Sequence, residues 1–316
     1  MTSATDPAIE KSGEHAPTNL AAVIPLFWEI GNLKRVRPAN LDDSLAADAF
    51  LQAWKRIANG ADVRETAIKI AADAVAAAQL GGINADVLRR AELSETQINL
   101  ILERSFDLSS APIPANLRDE LRAALSNKFD AGETAAPPFA AKLARQPRSG
   151  ATKPNAPRMV FDQPESHAEH IITVAVYAVL LAPLFDADIA EVFLITLCHH
   201  FHNADLPDAG FAGEELLGEF LPVIFKNLRE QCLRELPENL HEAIRQTFVT
   251  IRNADSNEAR AFHAADVIDR VLQMRHHSDA NEFNLIYALE EMELVHAGAV
   301  QAFHYDVLRA ANLIEN

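Results

Sequence analysis

A chain of 316 residues with 49% hydrophobic content is long enough for one large domain or two modest ones, with apolar mass to fill a core. Its formal charge of −17 excludes general nucleic-acid binding, because phosphate contacts draw on Lys and Arg and a negative field repels them. Two cysteines, Cys198 and Cys232, are too few for a disulfide framework; both read as small buried hydrophobes, which fits a reducing cytoplasmic setting.

Residues 1–19 are polar and carry no apolar signal core, so they read as a disordered N-terminus. From there on the pattern is helical: Ala and Leu runs favour helix, sustained apolar/polar alternation is missing, and the fold class is all-α. A first helix runs over 20–34 with Pro25 in its first turn, and Leu33-Lys34-Arg35-Val36-Arg37 leads to Pro38, which stops it.

The next block, 39–136, reads as a run of helices. Asp42-Asp43-Ser44 starts one whose face carries Ala47, Phe50, Leu51, Trp54 and Ile57, and Gly60 ends it. A second covers 62–79 and closes at Gly81-Gly82. Asn84 opens a short helix through Arg90, Ser94-Glu95-Thr96-Gln97 forms a capping box for the next, and another runs from about Ala115 to Phe129. Residues 137–160 change character, with several prolines beside Lys142, Arg145, Arg148, Lys153 and Arg158. This basic connection is either a solvated linker or a loop that gathers phosphate.

Over 161–316 helices are expected at 165–183, 187–201, 212–235, 238–253, 256–276, 281–295 and 297–313, with a loop at Asp205–Gly210. The run Ile171 to Phe185 is too short for a bilayer and contains Pro183, so a buried core helix is expected and no membrane. An apolar stripe over 285–313 serves either the internal core or a homodimer face.

The chemistry concentrates in three separate segments. Pro164-Glu165-Ser166-His167-Ala168-Glu169-His170 opens a helix, with His167 and His170 one turn apart. His199-His200 closes an apolar helix, where one ring points along the axis and the other across it. Asp266 sits among small apolar residues in Ala264-Ala265-Asp266-Val267, where an unpaired carboxylate is costly to bury and a metal or an Arg would relieve that cost. Imidazoles and a carboxylate brought together from three segments suit a borderline divalent metal. Taken singly, such residues are as readily structural, and His241, His276, His277, His296 and His304 read as surface or core histidines.

In this order the pieces resemble the HD-domain superfamily of metal-dependent phosphohydrolases, in the branch similar to 5′-deoxynucleotidases. The residues that carry the resemblance are Leu33-Lys34-Arg35, Pro164 to His170, His199-His200, Ala204-Asp205-Leu206-Pro207 and His263-Ala264-Ala265-Asp266. It implies an HD-like helical bundle whose first helix is 20–38, with 39–136 as an inserted helical subdomain and 161–316 as the core. It also implies one divalent transition metal (Fe, Co, Ni, Mn or Zn) held by His170, His199, His200 and Asp266. Arg35, Arg37 and Lys34 would neutralise a small phosphorylated substrate such as a nucleoside monophosphate.

Three departures stand out. His200 replaces the aspartate of the His-Asp pair, making the site softer and less anionic. Asn203 occupies the place of an acidic residue that assists the attacking water, and an amide takes no proton, which leaves Asp205 as the candidate for that role. The loop before Asp205 is shorter, and a long insertion separates Arg37 from Pro164. A register using His202-Asn203 as the pair is the alternative. Two other functions share the scaffold: an HD-like iron oxygenase, with His167, His202, His241 and His263 as added ligands, and a catalytically degenerate fold that serves as a binding or assembly module.

Overall fold

The computed structural model describes residues 17, 19–127, 134–155, 158–161, 163–281, 289, 294–295 and 297–314. Most of the expected disordered stretch 1–19 and most of the helix expected at 281–295 lie outside them. The described residues are helical with no strand; two isolated antiparallel bridges, Pro147 with Ser166 and Ala151 with Met159, are their only sheet-like pairing.

The helices, in chain order, are α1 (Ile24–Gly31), α2 (Leu45–Ala58), α3 (Val63–Leu80), α4 (Ala85–Arg90), α5 (Glu95–Ser109), α6 (Ala115–Ala124), α7 (Pro138–Arg145), α8 (His167–Phe185), α9 (Ile189–Cys198), α10 (Gly210–Leu217), α11 (Leu221–Leu233), α12 (Glu238–Thr250), α13 (Asn257–Asn281) and α14 (Gln301–Ala310). Local chemistry explains most starts. Ser44, Asp62, Asn84 and Asp188 each accept a hydrogen bond from a first-turn backbone N–H, and Ser94 with Gln97 forms the expected capping box. The α2 stop is equally local, since Gly60 adopts φ +88° just past the helix end.

α8 is the centre of the molecule. Ser166 and Glu169 close a second capping box at its start, and Asp186 ends it in the left-handed region with φ 53°. The helix spans 19 residues, longer than the run Ile171 to Phe185, and by length and apolarity it could cross a membrane. Its side chains are instead buried against α2, α3, α7, α9 and α13, so it is the core helix. Helices from 39–136 share that core: Trp54 of α2 meets Phe139 of α7 at 5.1 Å between ring centres and Phe201 at 5.3 Å. Phe201 follows His200 directly, so this aromatic contact fixes where the histidine pair sits. Each such buried aromatic contributes about 2–3 kcal/mol.

Two segments differ from expectation. The first residues of the basic connection form α7, with Phe139, Ala140 and Leu143 fully buried, because Pro at the helix start is tolerated and the face behind it is apolar. The helix expected over 212–235 is broken into α10 and α11 at Gly218, φ +49°, with Pro222 restarting the chain. Cys198 and Cys232 are free and buried; burial pushes the Cys232 thiol up to about 12.

Candidate metal centre

Three helices deliver the site. His170 lies in the second turn of α8, His199 and His200 follow α9, and Asp266 stands on α13, whose packing on α8 brings the carboxylate over. One ring nitrogen from each of His170, His199 and His200 lies within 4.8 Å of the others.

The second ring nitrogens decide what the cluster presents. His170 Nδ1 donates to Asp269 Oδ2 at 2.8 Å, and His199 Nδ1 donates to the Thr196 carbonyl. His200 Nδ1 donates to Asn203 Oδ1 at 2.9 Å; the Asn203 amide is oriented by its own donation to the Leu206 carbonyl. With Nδ1 committed as the donor, the neutral form of each ring offers Nε2 as its ligand atom, the tautomer a metal takes. His170 Nε2 is 3.3 Å from His199 Nε2 and 3.3 Å from Asp266 Oδ1. His170 Nε2, His199 Nε2 and Asp266 Oδ1 thus face one another across a short gap. In a tetrahedral set about 2.0–2.1 Å from a metal, neighbouring ligand atoms stand about 3.3–3.4 Å apart. The donor set fits a borderline divalent transition metal.

The electrostatics agree. Burial, then His170, lowers His199 to about 3, while burial and His199 drive His200 well below the ordinary imidazole range, so both rings stay neutral. Burial would raise Asp266, but His170 and Arg270 outweigh it and hold the carboxylate ionised.

Behind His170 runs a buried row of alternating charge. Lys34 Nζ bonds Asp269 at 2.7 Å and 2.9 Å and Glu165 at 2.8 Å, and Arg148 reaches the other Glu165 oxygen at 2.6 Å. Burial would raise Glu165, yet Lys34 and Arg148 hold it well below the usual range. A cavity of about 290 Å³ opens over the cluster, lined by His199, His200, Asp266, Arg148, Arg270 and Asp208 among others. Arg148 is placed there because the strand-like stretch after α7 pairs with the approach to α8, its N–H donating to the Glu165 carbonyl at 2.9 Å.

A comparison with protein families matches residues 140–302 to the HD domain, just over half of the chain. The chain belongs to the HD domain family. The HD domain match begins inside α7 and does not reach 20–38, where the first family helix was expected. HD domains characteristically bind divalent metals and carry hydrolase-type chemistry, and the His/Asp cluster lies within the matched span. No curated protein and no solved structure matches this HD domain chain.

The structure thus brings together His170, His199, His200 and Asp266, while the other expected site residues are placed elsewhere. Lys34 is fully engaged in the buried row and does not line the cavity. Arg35 stands behind the cavity wall, donating to Gln273 Oε1 at 2.7 Å. Arg37 pairs with Asp43 and with the capping residue Glu169. Asp205 forms a half-exposed ion pair with Lys142 at 2.7 Å and is absent from the cavity lining. Asn203 serves as the partner of His200. His202 stacks on Phe225 at 3.8 Å and does not line the cavity, which disfavours the His202-Asn203 register. Sequence reasoning did not single out Asp269 and Arg270, although Asp266, Asp269, Arg270 and Gln273 share a helix face by spacing alone. Arg148 was visible only as one of several basic residues.

Proposed function

We propose that this chain is a metal-dependent phosphohydrolase acting on a small phosphate ester such as a nucleoside monophosphate, with the chemistry of the 5′-deoxynucleotidase-like branch. The observation that carries the reading is the placement of two arginines, Arg148 and Arg270, in the same cavity as the acceptor cluster. A guanidinium fork suits phosphate oxygens, and the cavity volume sits at the small end of ligand sites, roughly 300–1,000 Å³.

His170, His199, His200 and Asp266 would hold the metal; when bound, it supplies polarisation of a phosphate oxygen and a lowered pKa for water. Arg148 and Arg270 orient the phosphate and offset its charge. Asn203 keeps His200 in the ligand tautomer instead of accepting a proton. Asp205 is held by Lys142, so besides the metal-site Asp266 and the ion-paired Glu165 the carboxylates facing the cavity are Asp208 and Glu214. Burial, then Asp208, raises the Glu214 carboxyl, which suits it to take a proton from water.

The test is phosphate release from nucleoside monophosphates across several divalent metals, with metal content measured on the same samples. The expected result is metal-dependent turnover that is lost, together with the metal, in His170→Ala and Asp266→Ala. Bound metal without turnover on any phosphomonoester would overturn the hydrolase reading in favour of a binding module; two irons per chain with oxygen consumption would favour the oxygenase.

A further inference from the structure

Beside the cluster lies an imidazole that the site does not use. His167 is fully buried on α8, three residues before His170, with its ring edge-on to His200 at 5.0 Å between centres. Its Nδ1 donates to the Gln146 carbonyl at 3.1 Å, and the same carbonyl takes the His167 backbone N–H at 3.0 Å. The ring is thereby fixed, with Nε2 left as a bare lone pair that has no hydrogen-bond partner. The nearest acidic atom is Asp208 Oδ2 at 3.9 Å. Asp208 is itself fixed, since Ser149 N–H donates to Oδ2 at 2.9 Å and Gly210 N–H to Oδ1 at 2.8 Å. An imidazole lone pair and a carboxylate oxygen, both acceptors, are thus set facing each other.

The spacing discriminates between the groups that could stand between them. A direct hydrogen bond would need about 2.7–3.2 Å. A bridging water with legs of about 2.8 Å would open the acceptors to about 4.5 Å, and at the observed gap its angle would close to about 90°. A divalent transition metal about 2.0–2.1 Å from each atom spans the gap at an open angle of about 140°. We propose that His167 Nε2 and the Asp208 carboxylate form a second divalent-cation site next to the His170–His199–His200–Asp266 cluster. Asp208 also lines the cavity, from which water or a phosphate oxygen would complete the set. One imidazole and one carboxylate favour Zn, Co, Ni, Fe or Mn. With only two protein ligands, and Arg148 lining the same cavity, this site binds more weakly than the first.

The proposal rests on the first metal site only for its neighbour, and the two are tested separately. Full-length protein is stripped of metal and titrated with Co²⁺ and Zn²⁺, following heat, bound metal after gel filtration and the Co²⁺ visible absorption. The wild type should take two equivalents, the second more weakly. His167→Leu and Asp208→Asn should each take one, retaining the tighter site, with far-UV circular dichroism and Tm checking the fold. Asp208→Asn keeps an oxygen for one of the two backbone N–H groups and leaves His167 in place, and so stands in if His167→Leu does not fold. A single equivalent in the wild type at saturating metal, or two retained in both variants, overturns the second site. His170→Ala reads the other site: loss of the tight equivalent with the weak one retained separates the two, and no loss there would count against the first site alone.

Discussion

Two acidic clusters meet at His170 and differ in one respect. In front of the ring, His199 Nε2 and Asp266 Oδ1 each stand 3.3 Å from His170 Nε2 with His200 nearby, and the internal cation there, Arg270, pairs only with the other Asp266 oxygen at 3.6 Å. Behind the ring, Glu165 and Asp269 are as close to His170, but Lys34 Nζ already fills the centre at 2.7–2.9 Å. Clustered ligand atoms therefore do not define a metal site by themselves; what matters is whether an internal cation has already balanced them. The rear cluster is a support that orients His170 through Asp269, and the front one is where an external cation belongs.

The largest effect should come from breaking the rear cluster. Lys34→Met leaves Glu165 and Asp269 buried without their shared partner, and the stability measured by denaturant unfolding should fall by about 3–5 kcal/mol. A loss below 1 kcal/mol would mean that water or another cation balances the pair.

Acid should act on the buried imidazoles in and beside the front cluster. An imidazole in the unfolded chain titrates near 6.5, whereas burial, followed by Arg148 for His167 and by His170 for His199, lowers these rings to about 4 and about 3. Between those values and 6.5 the unfolded state binds more protons, so stability is present above about 6.5 and is lost as the pH falls toward the folded values. Metal-free protein should lose on the order of 3 kcal/mol per buried ring, read as a falling Tm between pH 7 and pH 4. Saturating metal should flatten the upper part of that curve, because it competes with the proton for Nε2.

A smaller effect joins the two clusters. Asp269→Asn removes the charge that braces His170 Nδ1, and metal affinity should weaken about 10–100-fold by titration. An unchanged affinity would show that the rear cluster stabilises the fold without tuning the ligand. The smallest effect is expected at Arg37, whose side chain is about half exposed (48%). Arg37→Ala should change stability by less than about 1 kcal/mol and leave metal stoichiometry intact; a tenfold rise in KM for phosphate ester would instead make it a substrate residue.

The sequence-based reading and the structure agree where the physics is local. Ser166 and Glu169, three residues apart, form a capping box whatever lies beyond, and the same holds for Ser94 with Gln97. Apolar spacing marked α2 and α8 for the same reason. Segments were misread where packing outweighed composition. Prolines and basic residues suggested a linker at 137–160, yet Phe139 and Leu143 found an apolar surface on α2 and the chain near Phe201, and the segment became α7. The roles of Lys34 and Asp205 were read as site chemistry because partners far along the chain are invisible in a local pattern; Lys34 is claimed by Asp269, 235 residues away, and Asp205 by Lys142.

By itself the sequence determined the all-helical class, most helix starts and the residue types able to ligate a metal, because caps, periodicity and imidazole chemistry act over one or two turns. Only the tertiary structure decided which charges neutralise one another inside the protein and which acceptors remain to face an outside cation. Coulombic pairing and burial depend on distance in space, and α8, α9 and α13 had to pack before those distances existed.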